Sequence, residues 1–178
     1  MQLWNEPFEF GKELERAHAL HPEEWFEERK NEDPELYATE DQDEIHEEGT
    51  APTTGLTVGY DFKNKPLPEV FVAFIPTEDS TTIPLHLRFG DWNDCPSPHV
   101  HTAVARYWRD RYGAEIATLT SDVIEFTVER PPRSDADALE LAWQHFFYCS
   151  DIVHQGVGSV ATLARSLRKS TRWYFWWD

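Results

Sequence analysis

Apolar positions recur along this chain at two different periods, and the changes between them mark out its elements. From Pro7 to Leu20, Phe10, Leu14, Ala17 and Leu20 fall at helical spacing. His21-Pro22-Glu23-Glu24 predicts a second helix start, with proline in the first turn and carboxylates at the positive end of the helix dipole. Arg29 and Lys30 suit its C-terminal end, and Trp25 and Phe26 are its apolar anchors. Ala38 to Gly55 turns acidic and then rich in Thr, Pro and Gly, with little apolar content besides Ile45, which predicts a linker. Val70-Phe71-Val72-Ala73-Phe74-Ile75 is a continuous apolar run stopped by Pro76 and predicts a buried strand.

Prolines 84, 96 and 98 predict irregular backbone around Gly90-Asp91-Trp92-Asn93-Asp94-Cys95-Pro96. His99 to Tyr112 returns to the helical period, with Val100, Val104, Tyr107 and Trp108 along one side and Gly113 as the stop. Ala114–Leu119 and Val123–Val128 read as two strands joined by a Thr120-Ser121-Asp122 turn. The second alternates, so its Val123, Glu125 and Thr127 face is expected to be wet. Ser134, with Asp137 three positions on, predicts a capped helix to Tyr148 presenting Leu139, Ala142, Trp143 and Phe146. Ser159 caps a last helix, Val160 to Arg168.

The chain then ends in Trp173-Tyr174-Phe175-Trp176-Trp177-Asp178. Aromatic side chains favour strands, and alternation puts Trp173, Phe175 and Trp177 on one face with Tyr174 and Trp176 on the other. Both faces are apolar, so this strand is expected to be central or covered on both sides. From residue 70 the order is β-α-β-β-α-α-β. That predicts an α+β fold: a small, mostly antiparallel sheet with helices packed on it, in ferredoxin-like (split β-α-β) order with one extra helix. Acidic N-terminal helices precede it, and either they or a strand at Leu56–Tyr60 would cover the terminal strand. The expected division is an acidic helical extension with linker, 1–55, and a single α+β domain, 56–178.

Composition changes the picture mainly through charge. The chain has 178 residues, of which 40% are hydrophobic and 14% aromatic, enough for one sizeable core. Its net charge is −17. Residues 1–50 hold 17 acidic against 4 basic residues, or −13, leaving 16 against 12, or −4, for the remainder. Such a chain is not expected to bind nucleic acid or an anionic membrane directly. Cys95 and Cys149 make no disulfide framework, and no start resembles a signal peptide, so a cytoplasmic location is expected.

Two loops gather polar groups: Gly90–Pro96, and Tyr148-Cys149-Ser150-Asp151-Ile152-Val153-His154-Gln155-Gly156. If they meet, Asp91, Asp94, Asp151 and His154 share one pocket, where carboxylates and an imidazole could do acid–base work or hold a divalent metal. The structural reading, favoured here, is that Asp and Asn serve loop amides and the cysteines act as small buried hydrophobes. Cys95, His99, His101 and Cys149 are nominally a zinc set, but the histidines are two apart on a helix and point to different sides. Gly156–Ala161 fits G-x-G-x-x-A before a helix, yet a flexible turn plus the Ser159 cap explains it. No nucleophile-elbow, zincin or P-loop motif is present.

GDWNDCP (Gly90–Pro96), RYGAE (Arg111–Glu115), YCSDIVHQGVGS (Tyr148–Ser159) and WYFWWD (Trp173–Asp178) together carry a resemblance. From about Val70 to Asp178 the chain resembles a bacterial family known only as domain of unknown function 4253. That resemblance implies fold boundaries and brings no chemistry with it. The expected function is a non-enzymatic interaction module, of immunity or antitoxin type, masking a basic site on a partner protein such as a toxin or nuclease. Trp25 and Phe26, with Trp4, are the expected interface aromatics, and Trp92, Asn93, Asp94, Asp151 and Gln155 complete the binding set. The alternative is a small hydrolase or metal-dependent enzyme using Asp94, Asp151 and His154. A third option is a ligand-binding domain with an apolar pocket. No cofactor and no metal are expected.

Overall fold

The terminal aromatic run forms a strand whose inward face closes the core. In the computed structural model, which describes residues 8–32, 34, 37–38, 59–60, 63 and 65–178, β3 spans Arg172–Trp176. Trp173, Phe175 and the following Trp177 are all buried. Each such ring buries about 150–250 Å², or roughly 4–6 kcal/mol at about 25 cal/mol/Å² as an upper bound. β1 (Ala114–Leu119) and β2 (Val123–Val128) form the expected hairpin, and β3 pairs antiparallel with β2 to give the order β1-β2-β3. Ile124 lies opposite Phe175 and Phe126 opposite Trp173, so the inward rows stay in register across the sheet. A register shift between Ile116 and Thr118 takes up one residue of β1.

Helices cover that inward face. α1 is Phe10–Ala19, α2 is Pro22–Glu32, and a 3-10 turn at Ser80–Thr82 leads into the short α3, Ile83–Leu87. α4 is Pro98–Tyr112, α5 is Asp135–Tyr148 and α6 is Val160–Leu167. Their ends follow local chemistry. Gly113 closes α4 at φ 62°, a left-handed position that costs glycine little. Ser134 accepts the Asp137 N–H at 3.1 Å, and Ser159 accepts the Thr162 N–H at 3.2 Å. Trp108 of α4 lies at the centre. It stacks on Phe175 (5.5 Å, 9°), meets Trp173, Tyr148 and Phe126 edge-on, and donates its indole N–H to Gln144 at 3.0 Å.

Five expectations are corrected. Val70–Ile75 is not a buried strand: it is irregular and unpaired among the described residues, with Phe71 88% and Phe74 95% exposed. The ferredoxin-like order is therefore not what the sheet shows. That order places the first strand between the third and the last, whereas Val123–Val128 bonds directly to Arg172–Trp176. Among the described residues the terminal strand lies at the edge of the sheet, half-covered on its Tyr174 and Trp176 face. The outer face of β2 is not uniformly wet either, because Glu125 is buried and accepts the Thr118 hydroxyl at 2.6 Å. On α5 the buried stripe is Ala138, Leu141, Ala142, His145 and Phe146, and Leu139 faces solvent.

The acidic helices are built into the same body. Phe26 belongs to the core, lying nearly parallel to Trp108 at 6.3 Å, so it is a packing anchor and not an exposed interface aromatic. Trp25 is half-buried against it, with the Arg29 guanidinium 6.0 Å from its ring. Arg106 of α4 donates to the Ala17 carbonyl at 2.7 Å, and Glu13 meets His99 at 2.8 Å. Burial alone would raise the Glu13 carboxyl, but hydrogen bonds from Arg16 and His99 carry its net shift downward. Trp4, residues 56–58 of the Leu56–Tyr60 strand and most of the linker lie outside the described residues, while Tyr60 makes an isolated antiparallel bridge with Pro66. None of the described helices is long and apolar enough to cross a membrane.

Candidate functional site

The Gly90–Pro96 loop is a chain of left-handed turns fitted over a buried imidazole. Gly90 (φ 115°), Asp91 (φ 65°) and Asn93 (φ 45°) all take positive φ, and Asp and Asn are the non-glycine residues that tolerate it best. The Asp91 N–H bonds the Pro96 carbonyl at 3.2 Å and the Cys95 N–H bonds the Trp92 carbonyl at 2.9 Å, which closes the loop on itself. Beneath it His101 shares one hydrogen bond with Cys95 Sγ at 3.4 Å and another with the Tyr148 hydroxyl at 2.6 Å. Trp92 lies half-buried above, edge-on to Trp177 at 6.5 Å.

The second loop meets the first through the chain end. Ile152–Val157 is wound as a π-helical turn, a geometry frequent at functional sites. Gly156 is a close approach, since a Cβ there would come within 3.1 Å of the Trp176 ring. Asn93 donates its amide to the main-chain oxygen of Asp178 at 2.5 Å, and the Asp178 N–H donates to Asp151 at 3.2 Å. The other Asp151 oxygen accepts from Gln155 at 3.1 Å. Asn93, Asp178, Asp151 and Gln155 thus form one polar line joining the two loops. Asp94 and His154 are both exposed, and the His154 ring lies edge-on to Phe146 at 5.3 Å.

Burial sets the electrostatics. Desolvation raises the Asp91 carboxyl, and Glu13 adds to the rise against His99. It pushes the Cys95 thiol far up and the Cys149 thiol up to about 12, so both remain protonated small hydrophobes. Both cysteines are free, and Cys149 donates to the Trp176 carbonyl at 2.9 Å. His99 and His101 do point to different sides, one to Glu13 and Ser97, the other into the core. Among the described residues no group of three His, Cys, Asp or Glu side chains has metal-holding geometry. The apolar layer beneath the loops was legible as aromatic text, but the His101–Tyr148 bond was not. A histidine two positions from another on a helix gives no sign of which one turns inward.

Two fully buried imidazoles make stability depend on pH. Desolvation lowers His101 to about 3 and places His145 well below its ordinary value, 4.7 Å from both Trp173 and Phe175. The unfolded chain takes up these protons near pH 6.5 while the folded one does not, so folding weakens as pH falls below that value. Each imidazole contributes on the order of 1 kcal/mol per pH unit. Urea midpoints measured at pH 7 and pH 5 are expected to fall together with pH, and His145→Phe is expected to flatten the dependence. An unchanged midpoint in the parent chain would show that neither ring is held neutral by burial.

No curated protein and no solved structure matches this chain. Residues 71–178, which contain the sheet, both loops and the polar line at Asp178, match the model of the family described as Domain of unknown function (DUF4253), and the chain belongs to that family.

Proposed function

We propose that this protein is a non-enzymatic interaction module that covers a basic site on a partner protein, in the manner of an immunity protein or antitoxin. The observation that carries the reading is where the negative charge sits. The described part of the acidic segment, α1 and α2, is anchored to the domain by Phe26 in the core and by the Arg106–Ala17 bond, so the carboxylates on these two helices are presented on a firm scaffold. Glu15 on α1 and Glu24 and Glu28 on α2 are exposed, and half-buried Trp25 is on the same helix as the latter two. Such a surface steers basic partners and repels acidic ones, while an aromatic supplies contact area. Trp92, Asn93, Asp94 and Gln155 offer a second accessible edge at the joined loops.

The enzymatic reading on Asp94, Asp151 and His154 draws on one observation, the meeting of the two loops, and faces another. Both Asp151 oxygens are already engaged, by the Asp178 N–H and by Gln155.

The test is affinity capture from native lysate with the parent chain and with the triple variant Glu15→Gln, Glu24→Gln, Glu28→Gln. One basic partner is expected at low salt, released at high salt and captured poorly by the variant, because exposed charge contacts are screened. Capture indifferent to both salt and substitution would move the interface away from the acidic helices.

A further inference from the structure

A cavity of about 500 Å³ lies where the end of α4, the end of β2 and the start of β3 come together, well within the size range of small-ligand sites. Three arginines line it, Arg109, Arg130 and Arg172, in a chain whose net charge is −17. Two of them have work elsewhere. Arg109 pairs with Asp79 at 2.5 Å. Arg130 pairs with Glu129 at 2.8 Å and donates to the Arg109 and Asp110 carbonyls, which satisfies the end of α4.

Arg172 is different. Its Nε is shut off from solvent and finds no hydrogen-bond acceptor among the described residues, and no carboxylate pairs with its guanidinium there. A buried N–H left without a partner is costly, and the rest of the half-buried Arg172 side chain lines the cavity with no hydrogen-bond partner among the described residues. The carboxylates that share the cavity do not supply the missing acceptor. Glu129 is held by Arg130, and Glu115 accepts the Ser80 hydroxyl. Glu115, Thr127 and Arg172 occupy one cross-strand row, so Thr127 stands beside Arg172 on the same face of the sheet, and Thr171 adds a second hydroxyl to the lining.

We infer that this cavity is a binding site for a small oxyanion, a carboxylate or phosphate group, taken by the Arg172 guanidinium with Thr127 or Thr171 as neutral donors. A guanidinium fork matches either group with two parallel hydrogen bonds, and the protein here leaves that fork unused. The site is separate from the joined loops at Asp178 and from the acidic helices, so it stands or falls independently of the interaction reading.

The experiment follows the Arg172 Nε–Hε signal by NMR in the full chain during titration with inorganic phosphate, with malonate, and with chloride at matched ionic strength. A saturable shift with phosphate, malonate or both, beyond that of chloride, is expected, and which anion saturates identifies phosphoryl or carboxylate as the preferred group. Arg172→Met, checked as folded by far-UV circular dichroism, is expected to weaken binding at least about tenfold, and Arg172→Lys by less, since it keeps charge but loses the fork. A shift no larger than that of chloride, or undiminished binding by folded Arg172→Met, would overturn the assignment. The signal of the parent chain decides the question even if the methionine variant fails to fold.

Discussion

Replacing Trp108 with alanine is expected to cost about 3–5 kcal/mol, a fifth or more of the stability of an ordinary domain. The ring is fully buried and is the point where three other elements meet its helix: β2 through Phe126, α5 through Tyr148, and β3 through Trp173 and Phe175. Phe26 of α2 lies against its other side. Removing the ring leaves a cavity walled by other rings, which are too stiff to collapse into it. It also deprives Gln144 of the indole N–H. Trp108→Phe keeps one ring in place but loses that bond and the volume of the second ring, so its cost is expected to be smaller, about 2–3 kcal/mol. Urea denaturation of both variants checks the order. A loss below 1 kcal/mol for the alanine variant would mean that the helices and sheet hold together without this ring.

Gly90→Ala is the second large effect. A Cβ at this position would lie 2.0 Å from the Pro96 carbonyl oxygen and 3.0 Å from the His101 ring, and φ of 115° is unfavourable for any side chain. The obstruction is main chain on one side and a fully buried ring on the other, so neither can yield cheaply. More than about 3 kcal/mol is expected. Gly158→Ala is the comparison, because Gly158 also has positive φ but open space around it. That variant isolates backbone strain, expected near 1 kcal/mol. Equal losses in the two thermal melts would mean that the Gly90–Pro96 loop gives way, and that its fit over His101 is loose.

What the sequence made legible was whatever neighbouring residues decide. Ser134, Ser159 and Gly113 mark helix ends because their partners lie within a few positions, and Thr120-Ser121-Asp122 joins strands that pair with each other. The distant choices were harder to read. The run Val70–Ile75 announces that it is apolar without naming what would cover it, and Phe26 gives no hint that its partner is Trp108. Glu125 looks wet because alternation treats any carboxylate as outward, yet Thr118 across the hairpin supplies a donor. The two polar loops were legible as separate clusters. Their joining through Asp178 depends on where the last strand lies, which only the sheet order reveals.

The bare run at Val70–Ile75 has a consequence for how this chain behaves in crowded solution. Six consecutive apolar residues with Phe71 and Phe74 in the open are the kind of segment that seeds sheet growth between molecules. Pro66 and Pro68 precede it and Pro76 follows. Proline has no N–H to give, so a foreign strand laid along this run finds its hydrogen-bond ladder broken on both sides. Glu69 adds a like charge at the entrance to the run. These flanking residues have the character of gatekeepers, and they are expected to confine intermolecular pairing to the six residues between them.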